Sequence, residues 1–249
     1  MTAISVERIK LFSTRSPYWC LLLIVVAGLG FAVIFGLVEN GSAATAWTSQ
    51  RGTNLGMMIF MVLSALAITT EYRFGTIRST FLAEPNRTVV LLAKTILLAV
   101  LGAVVGLIVA VAAFYLTKGL ASNPDSPLGL DVSDSARVVF GQSAMFAVAS
   151  VIAVSIGTLV RQSAGAIAIV LLWPLLLESL LGAIPALNKA SQWFPFTAGD
   201  KFVSSSQPVF GVDIATTSGP TPVQGLLVFA GTAVLLWIAA LVVLRSRDA

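Results

Sequence analysis

An all-α polytopic membrane protein with six transmembrane helices is the fold class this sequence predicts, and two observations predict it. Of the 249 residues, 57% are hydrophobic and 10% charged, with a mean hydropathy of +0.94, whereas a soluble domain is about a quarter charged. The chain also holds several apolar runs of the roughly 20 residues needed to cross a hydrocarbon core about 30 Å thick, LLLIVVAGLGFAVIFGLV among them. Backbone polar groups find no water in lipid, so such a segment is a helix or a strand of a closed barrel. Barrel strands alternate over short stretches, and these runs do not.

Taken in order, residues 1–16 place Ile4, Ile9 and Phe12 at spacings compatible with one face of a short helix, with Glu7, Arg8 and Lys10 largely elsewhere. The segment reads as a helix lying flat at the membrane interface, or else as a disordered tail. No signal peptide is expected. The opening residues are charged on both sides of neutrality, and the first apolar run is long enough to span and lacks a clear small-residue cleavage site. The six spans fall at about 18–38, 54–70, 91–116, 138–160, 164–184 and 223–244.

An even number of spans puts both termini on one side. That side carries ten basic residues: Arg8, Lys10, Arg15, Arg73, Arg78, Arg87, Lys94, Arg161, Arg245 and Arg247. The other carries five: Arg51, Lys118, Arg137, Lys189 and Lys201. The richer side is expected in the cytoplasm. This asymmetry accounts for the net charge of +4 without a nucleic-acid partner. Glu39, Asp125, Asp131, Asp134, Asp200 and Asp213 fall on the opposite side.

The second and third spans are joined by EYRFGTIRSTFLAEPNR, which is too elaborate for a solvated turn. Read as a helix, Glu71 lies one turn before Gly75, and Arg73, Ile77 and Phe81 share a face. Pro85 should end the helix just ahead of it. Arg87 and Lys94 are placed to snorkel at the base of the third span. Positive-inside charges explain the arginines but leave Tyr72, Phe74 and Phe81 without a role. A rigid helix docking on a soluble partner gives them one.

Outside, the loop KGLASNPDSPLGLDVSDSAR is rich in turn formers and carries no catalytic spacing. The segment 185–222 differs, because NKASQWFPFTAGDKF mixes aromatic residues with Pro195 and a few charges. It is expected to fold back on the outer leaflet or the bundle. Within the fifth span, Glu178 is the one acidic residue deep in an apolar run. Such a carboxylate costs about 3 kcal/mol or more in lipid and so faces a bundle interior or a wet cavity. It has either a pathway or gating role, or a structural one, as a hydrogen-bond partner of a neighbouring helix or a protonated group near the headgroups. Gly102 and Gly106, and the ridge Ala149, Ala153, Gly157, permit close helix contact within one subunit or between two; internal packing is the expected use.

Enzymatic chemistry finds no foothold. There is no phosphate-binding loop or dinucleotide turn. There is also no histidine and only one cysteine, Cys20, so neither a metal site nor an intrachain disulfide is expected.

The sequence resembles the membrane permease subunits of ATP-binding-cassette transporters of the type-2, exporter-like class, especially small bacterial six-span forms. The resemblance is carried by EYRFGTIRSTFLAEPNR followed by VVLLAK, by WPLLLESLLGAIP in the fifth span, and by the following WFPFTAG. It covers nearly the whole chain, 1–249, as a single permease domain. The resemblance implies an N-terminal interfacial helix and a cytoplasmic coupling element at 71–85. It also implies a partly re-entrant external segment at 185–222. Glu71, Tyr72, Arg73, Phe74, Gly75, Thr76, Ile77, Arg78, Ser79 and Thr80 would contact a separate ATPase subunit. ATP and Mg would be bound by that partner and no cofactor by this chain. A second permease copy, or a related chain, would complete the pathway in a bacterial cell membrane, among membrane lipids and with both termini cytoplasmic. The alternative is a sensor or scaffold subunit of an ATPase complex that does not transport.

Overall fold

The structure is a computed structural model that describes residues 3–38, 44–121, 128–130, 134–204 and 219–246. Every element among them is a helix, and six are long and apolar enough to cross a membrane: Ser16–Leu37, Ala46–Arg73, Arg87–Leu120, Ser135–Val160, Ser163–Ala183 and Pro222–Ser246. Residues 122–127 and 131–133 of the loop at 118–137, and residues 205–218 of the segment at 185–222, lie outside the described residues.

Helix α1 is Ala3–Phe12 and α2 is Ser16–Leu37. The second span begins with the short α3, Ala46–Ser49, whose first turn is closed by a reciprocal capping box between Thr45 and Thr48. It continues as α4, Arg51–Arg73. The expected start at about 54 was late: Arg51 is the first residue of α4, its guanidinium 3.6 Å from the centre of the Trp47 ring, a stack that lets a cation begin a membrane helix.

Gly75, at φ +68°, then breaks the chain, so the connection is not one helix from 71. Glu71 to Arg73 complete α4, and α5 is Thr76–Ala83. The stop before Pro85 is as expected, with Glu84 in extended conformation. Helix α6, Arg87–Leu120, has 34 residues, about 51 Å at 1.5 Å per residue. It outruns the apolar stretch 91–116 because Asn86 caps it early, its side chain accepting from the Thr88 N–H.

Helix α7, Ser135–Val160, is the axis of the bundle, packing against α4, α6, the fifth span and the last helix. The fifth span starts as α8, Ser163–Leu172, widens to a π-turn at Trp173–Leu177, and ends as α9, Glu178–Ala183. Pro174 has no N–H to donate back one turn. The backbone bridges the defect with a wider hydrogen bond, from the Glu178 N–H to the Trp173 carbonyl. Two short helices follow, α10 (Asn188–Ser191) and α11 (Pro195–Val203), before α12, Pro222–Ser246. Helix α11 packs on α12 and α7, with Phe196 wedged between Trp173 and Phe229 at ring-centroid distances of 5.9 and 5.3 Å. The expected fold-back of this segment on the bundle is therefore seen for α11.

The core is built on the contact of α4, α6 and α7, where Phe60 and Phe146 meet 5.9 Å apart, both fully buried. Small residues make the approach possible. Cβ atoms added at Gly102 or Gly106 would run into Phe146, and one at Gly157 into Ile68. The small-residue ridges thus serve packing within this subunit. Helix α2 also crosses α4 closely, since a Cβ at Gly52 would lie 2.2 Å from the Ala27 carbonyl oxygen.

Gly52→Ala should force α2 and α4 apart and lower stability by about 1–3 kcal/mol. Inside α2, Gly30→Ala meets nothing within 4 Å and should leave the thermal unfolding midpoint in detergent no lower.

Candidate functional site

Among the described residues, buried acidic groups mark two sites, one at each end of the bundle. The first is on the face that carries α1, α5 and the start of α6. Lys94 points inward from the second turn of α6 and is 3% exposed. Its ammonium donates to Glu7 of α1, to Glu71 Oε1 of α4 at 2.9 Å and to the Ala67 carbonyl at 3.1 Å. Lys10, one turn after Glu7, donates to Glu7 Oε1 at 3.0 Å and to Thr80 Oγ1 of α5 at 2.9 Å, with Glu71 Oε1 3.5 Å away. Four charges from three helices, with a hydroxyl from a fourth, form one network. Burial opposes ionisation of Glu7, but attraction to Lys94 and then to Lys10 outweighs it and holds the carboxyl below its usual range.

This geometry corrects two expectations. Lys94 does not snorkel to the interface: its partners are inside, so its ammonium is best satisfied by turning away from water. Helix α1 does not keep its charges off the bundle either, because Glu7 is 4% exposed and Ile4 and Ile9 face outward. The carboxylate of Glu7 reaches into the protein while these apolar side chains look outward, an arrangement that a buried cation stabilises.

The ten residues 71–80 separate accordingly. Glu71 and Ile77 are buried, and Tyr72 and Thr80 are half-buried. The Tyr72 ring lies under the Arg161 guanidinium, 5.1 Å from its centre. Arg73, Phe74, Gly75, Thr76, Arg78 and Ser79 are exposed. The face expected to join Arg73, Ile77 and Phe81 is not formed, because the left-handed turn at Gly75 separates Arg73 from the helix carrying the other two. Phe81 lies against Arg87, 5.2 Å from its ring centre. Of the three aromatic residues only Phe74 is an open surface, at 71% exposure, and Leu82, which the helical reading passed over, is 85% exposed.

The second site is at the opposite face. Glu178 is 4% exposed and receives three hydrogen bonds from the start of α11: the Phe196 N–H at 3.1 Å, the Thr197 N–H at 2.7 Å and the Thr197 hydroxyl at 2.8 Å. Helix α11 begins with Pro195 after Phe194, which has no side chain able to cap it. The carboxylate of Glu178 supplies that cap from the fifth span and opposes the positive end of the helix dipole. Of the two readings of Glu178, these contacts support the structural one. The missing cap residue ahead of Pro195 was the signal in the sequence.

Beside Glu178 is a cavity of about 190 Å³ lined also by Asn54, Met57, Met58, Thr197 and Asp200. Asn54 is fixed by the Gln142 amide, which donates to its Oδ1 at 3.0 Å. Asp200 is exposed where this cavity opens, with protein atoms crowded around its carboxyl. Desolvation by those atoms, and then the like charge of Glu178, raise the carboxyl to about 7 against the pull of Arg51. Among the described residues no group of three His, Cys, Asp or Glu is assembled that could hold a metal ion. Comparison with protein-family models, curated proteins and solved structures finds no match for this chain.

Removing the ammonium with Lys94→Met leaves two buried carboxylates without their shared partner. It should cost about 3–5 kcal/mol, and limited proteolysis should then cut α1 from the bundle before any span is cleaved. The folded chain holds the Asp200 proton up to about pH 7, whereas an unfolded aspartate releases it near pH 4. The contribution of Asp200 to stability is therefore full below about pH 4 and lost as pH rises through about 7. Thermal unfolding across that interval should show the loss in the natural chain, and Asp200→Asn should flatten it.

Proposed function

We propose that this chain is the transmembrane subunit of an ATP-driven exporter of the ATP-binding-cassette type, coupled to a separate ATPase subunit that binds ATP and Mg. The observation that carries the reading is the surface made by Arg73, Phe74, Arg78 and Leu82 beside a short helix whose other side is fixed to the bundle. Phe74 and Leu82 are among the most exposed large apolar side chains of the chain. Apolar anchors flanked by arginines are what a docking interface requires, the first for burial and the second for register.

The fixation matters as much as the exposure. Thr80 of α5 meets Lys10, and Lys10 and Lys94 meet Glu7 and Glu71, so a push on α5 is passed to α1, α4 and α6 together. The resemblance of EYRFGTIRSTFLAEPNR and WPLLLESLLGAIP to permease subunits supports the same reading. Two copies, or this chain and a related one, would pair in a bacterial cell membrane with both termini cytoplasmic. Helix α11, capped by Glu178, is the corresponding partly re-entrant element. ATP-driven closure of the ATPase pair would tilt the second and third spans and turn a central pathway from one side to the other.

Charge reversal at Arg73 and Arg78 together with Leu82→Asp should weaken assembly with the coexpressed cognate ATPase by on the order of 30-fold, as loss of a hot spot worth about 2 kcal/mol implies. Stimulated ATP hydrolysis in proteoliposomes should fall in parallel. Unchanged assembly and hydrolysis would overturn the docking surface. Intact assembly with no substrate movement in the natural chain would favour a sensor or scaffold subunit instead.

A further inference from the structure

The network around Lys94 forms one end of a cavity of about 550 Å³ that shares only Phe74 with the docking surface. Its depth is apolar, lined by Leu63, Leu66, Leu97 and Leu98, and its rim is polar, with Lys10, Glu71 and a set of hydroxyls. It is bounded by the start of the first span, the end of the second and the start of the third, and so sits where one membrane face meets the hydrocarbon. A volume of this order falls within the range of about 300–1,000 Å³ common to small-molecule sites.

The hydrogen-bonding inventory of the rim selects the occupant. An ammonium has three N–H donors. Those of Lys94 go to Glu7, Glu71 and Ala67, while Lys10 faces Glu7, Thr80 and Glu71. The rim hydroxyls donate to backbone carbonyls: Ser13 to Lys10 at 2.8 Å, Thr70 to Leu66 at 2.7 Å, Ser79 to Thr76 at 2.7 Å and Thr80 to Thr76 at 3.1 Å. Their donors are spent. Thr80 already accepts from Lys10, whereas Ser13, Thr70 and Ser79 keep acceptor lone pairs. Glu71 Oε2 is in the same position, its contact with the Thr80 hydroxyl being a long 3.5 Å. No arginine lines the cavity.

We propose that this cavity binds an uncharged amphiphile with a hydroxyl-bearing head, of the acylglycerol or glycolipid kind, with its chain against Leu63, Leu66, Leu97 and Leu98. The head must donate hydrogen bonds, because the rim offers acceptors. It must carry no net charge, because two lysines and two glutamates already balance and an added ion would have no counter-ion. A carboxylate or phosphate head would meet only Lys10, whose ammonium is already shared by Glu7 and Glu71, and a quaternary ammonium has no hydrogen bond to give. This reading requires the cavity alone and stands whether or not an ATPase docks on α5.

The test uses the full chain in nanodiscs of phosphatidylcholine, whose own head lacks donors. Three photoreactive probes of one chain length are compared: a monoacylglycerol, the free fatty acid and an alkyltrimethylammonium. Adducts of the acylglycerol should map to the peptides holding Leu63–Ala67 and Leu97–Leu98, at on the order of tenfold higher yield than the other two, the equivalent of one or two net hydrogen bonds. Leu97→Trp, which crowds the apolar part of the cavity, should reduce that labelling. Thr70→Val keeps the shape, removes an acceptor and should reduce it. Equal labelling by the three heads, or adducts elsewhere on the chain, would overturn the proposal. A hydroxyl-headed lipid retained from the protein's own membranes, after extraction with polymer in place of detergent, would identify a resident lipid. Labelling by the added probe with no retained lipid would identify an amphiphile taken up from outside.

Discussion

The ion pairs that Lys94 makes with Glu7 and Glu71 are the constraint on which one whole face of the protein depends. A lysine 3% exposed among membrane helices is tolerable only if its charge is met at contact distance, since the effective penalty of burying an ion is several kcal/mol. Meeting that requirement from two separate helices makes the cation a junction. Helix α1 has little else to hold it: Ile4 and Ile9 turn outward, and its packing is mainly against α6. Glu71 is the last inward-facing group of α4 before the chain turns at Gly75. The position of α5, and with it the surface of Phe74, Arg78 and Leu82, follows from that anchor.

The opposite face uses the same economy with one charge. Glu178 is where the widened turn after Pro174 leaves it, and its carboxylate completes the first turn of α11. A helix of nine residues is short to stand alone in water. Here it is held at one end by a borrowed cap and along its length by Phe196 between Trp173 and Phe229. The two faces also differ in kind. The first joins three helices through opposed charges and a fourth through a hydroxyl, whereas the second sets two acids, Glu178 and Asp200, around one cavity with Arg51 as the cation that attracts Asp200.

Hydropathy made the spans legible, because twenty apolar residues in a row have few other uses. Pro85 as a stop was equally legible, since a pyrrolidine ring acts locally on the backbone before it. The pairing of Lys94 was not. Its partners lie 87 and 23 residues away in sequence, and a lysine eight residues into a helix reads as an interfacial cation until the bundle is assembled. Gly75 was read within a helix because helical spacing on either side was plausible, and only the positive φ separates the two pieces. For Glu178, depth in the membrane was legible, but the choice between a pathway and a cap depended on where α11 docked. Leu82 escaped notice because exposure is a property of the packed chain and not of the residue.

The π-turn at Trp173–Leu177 has a consequence for how this chain can change length. Such a turn accommodates one residue more than the regular helical period, and removing that residue would rotate everything beyond it by about 100° around the axis. Glu178 would then swing off α11 toward lipid, and the first turn of α11 would lose its acceptor. Substitutions along the outer face of the fifth span meet little resistance by comparison, since Leu175, Leu176 and Leu177 are each at least half exposed. The span can therefore vary in composition but not in residue count. A lineage of such chains would show drift among its leucines and a fixed interval between Pro174 and Pro195.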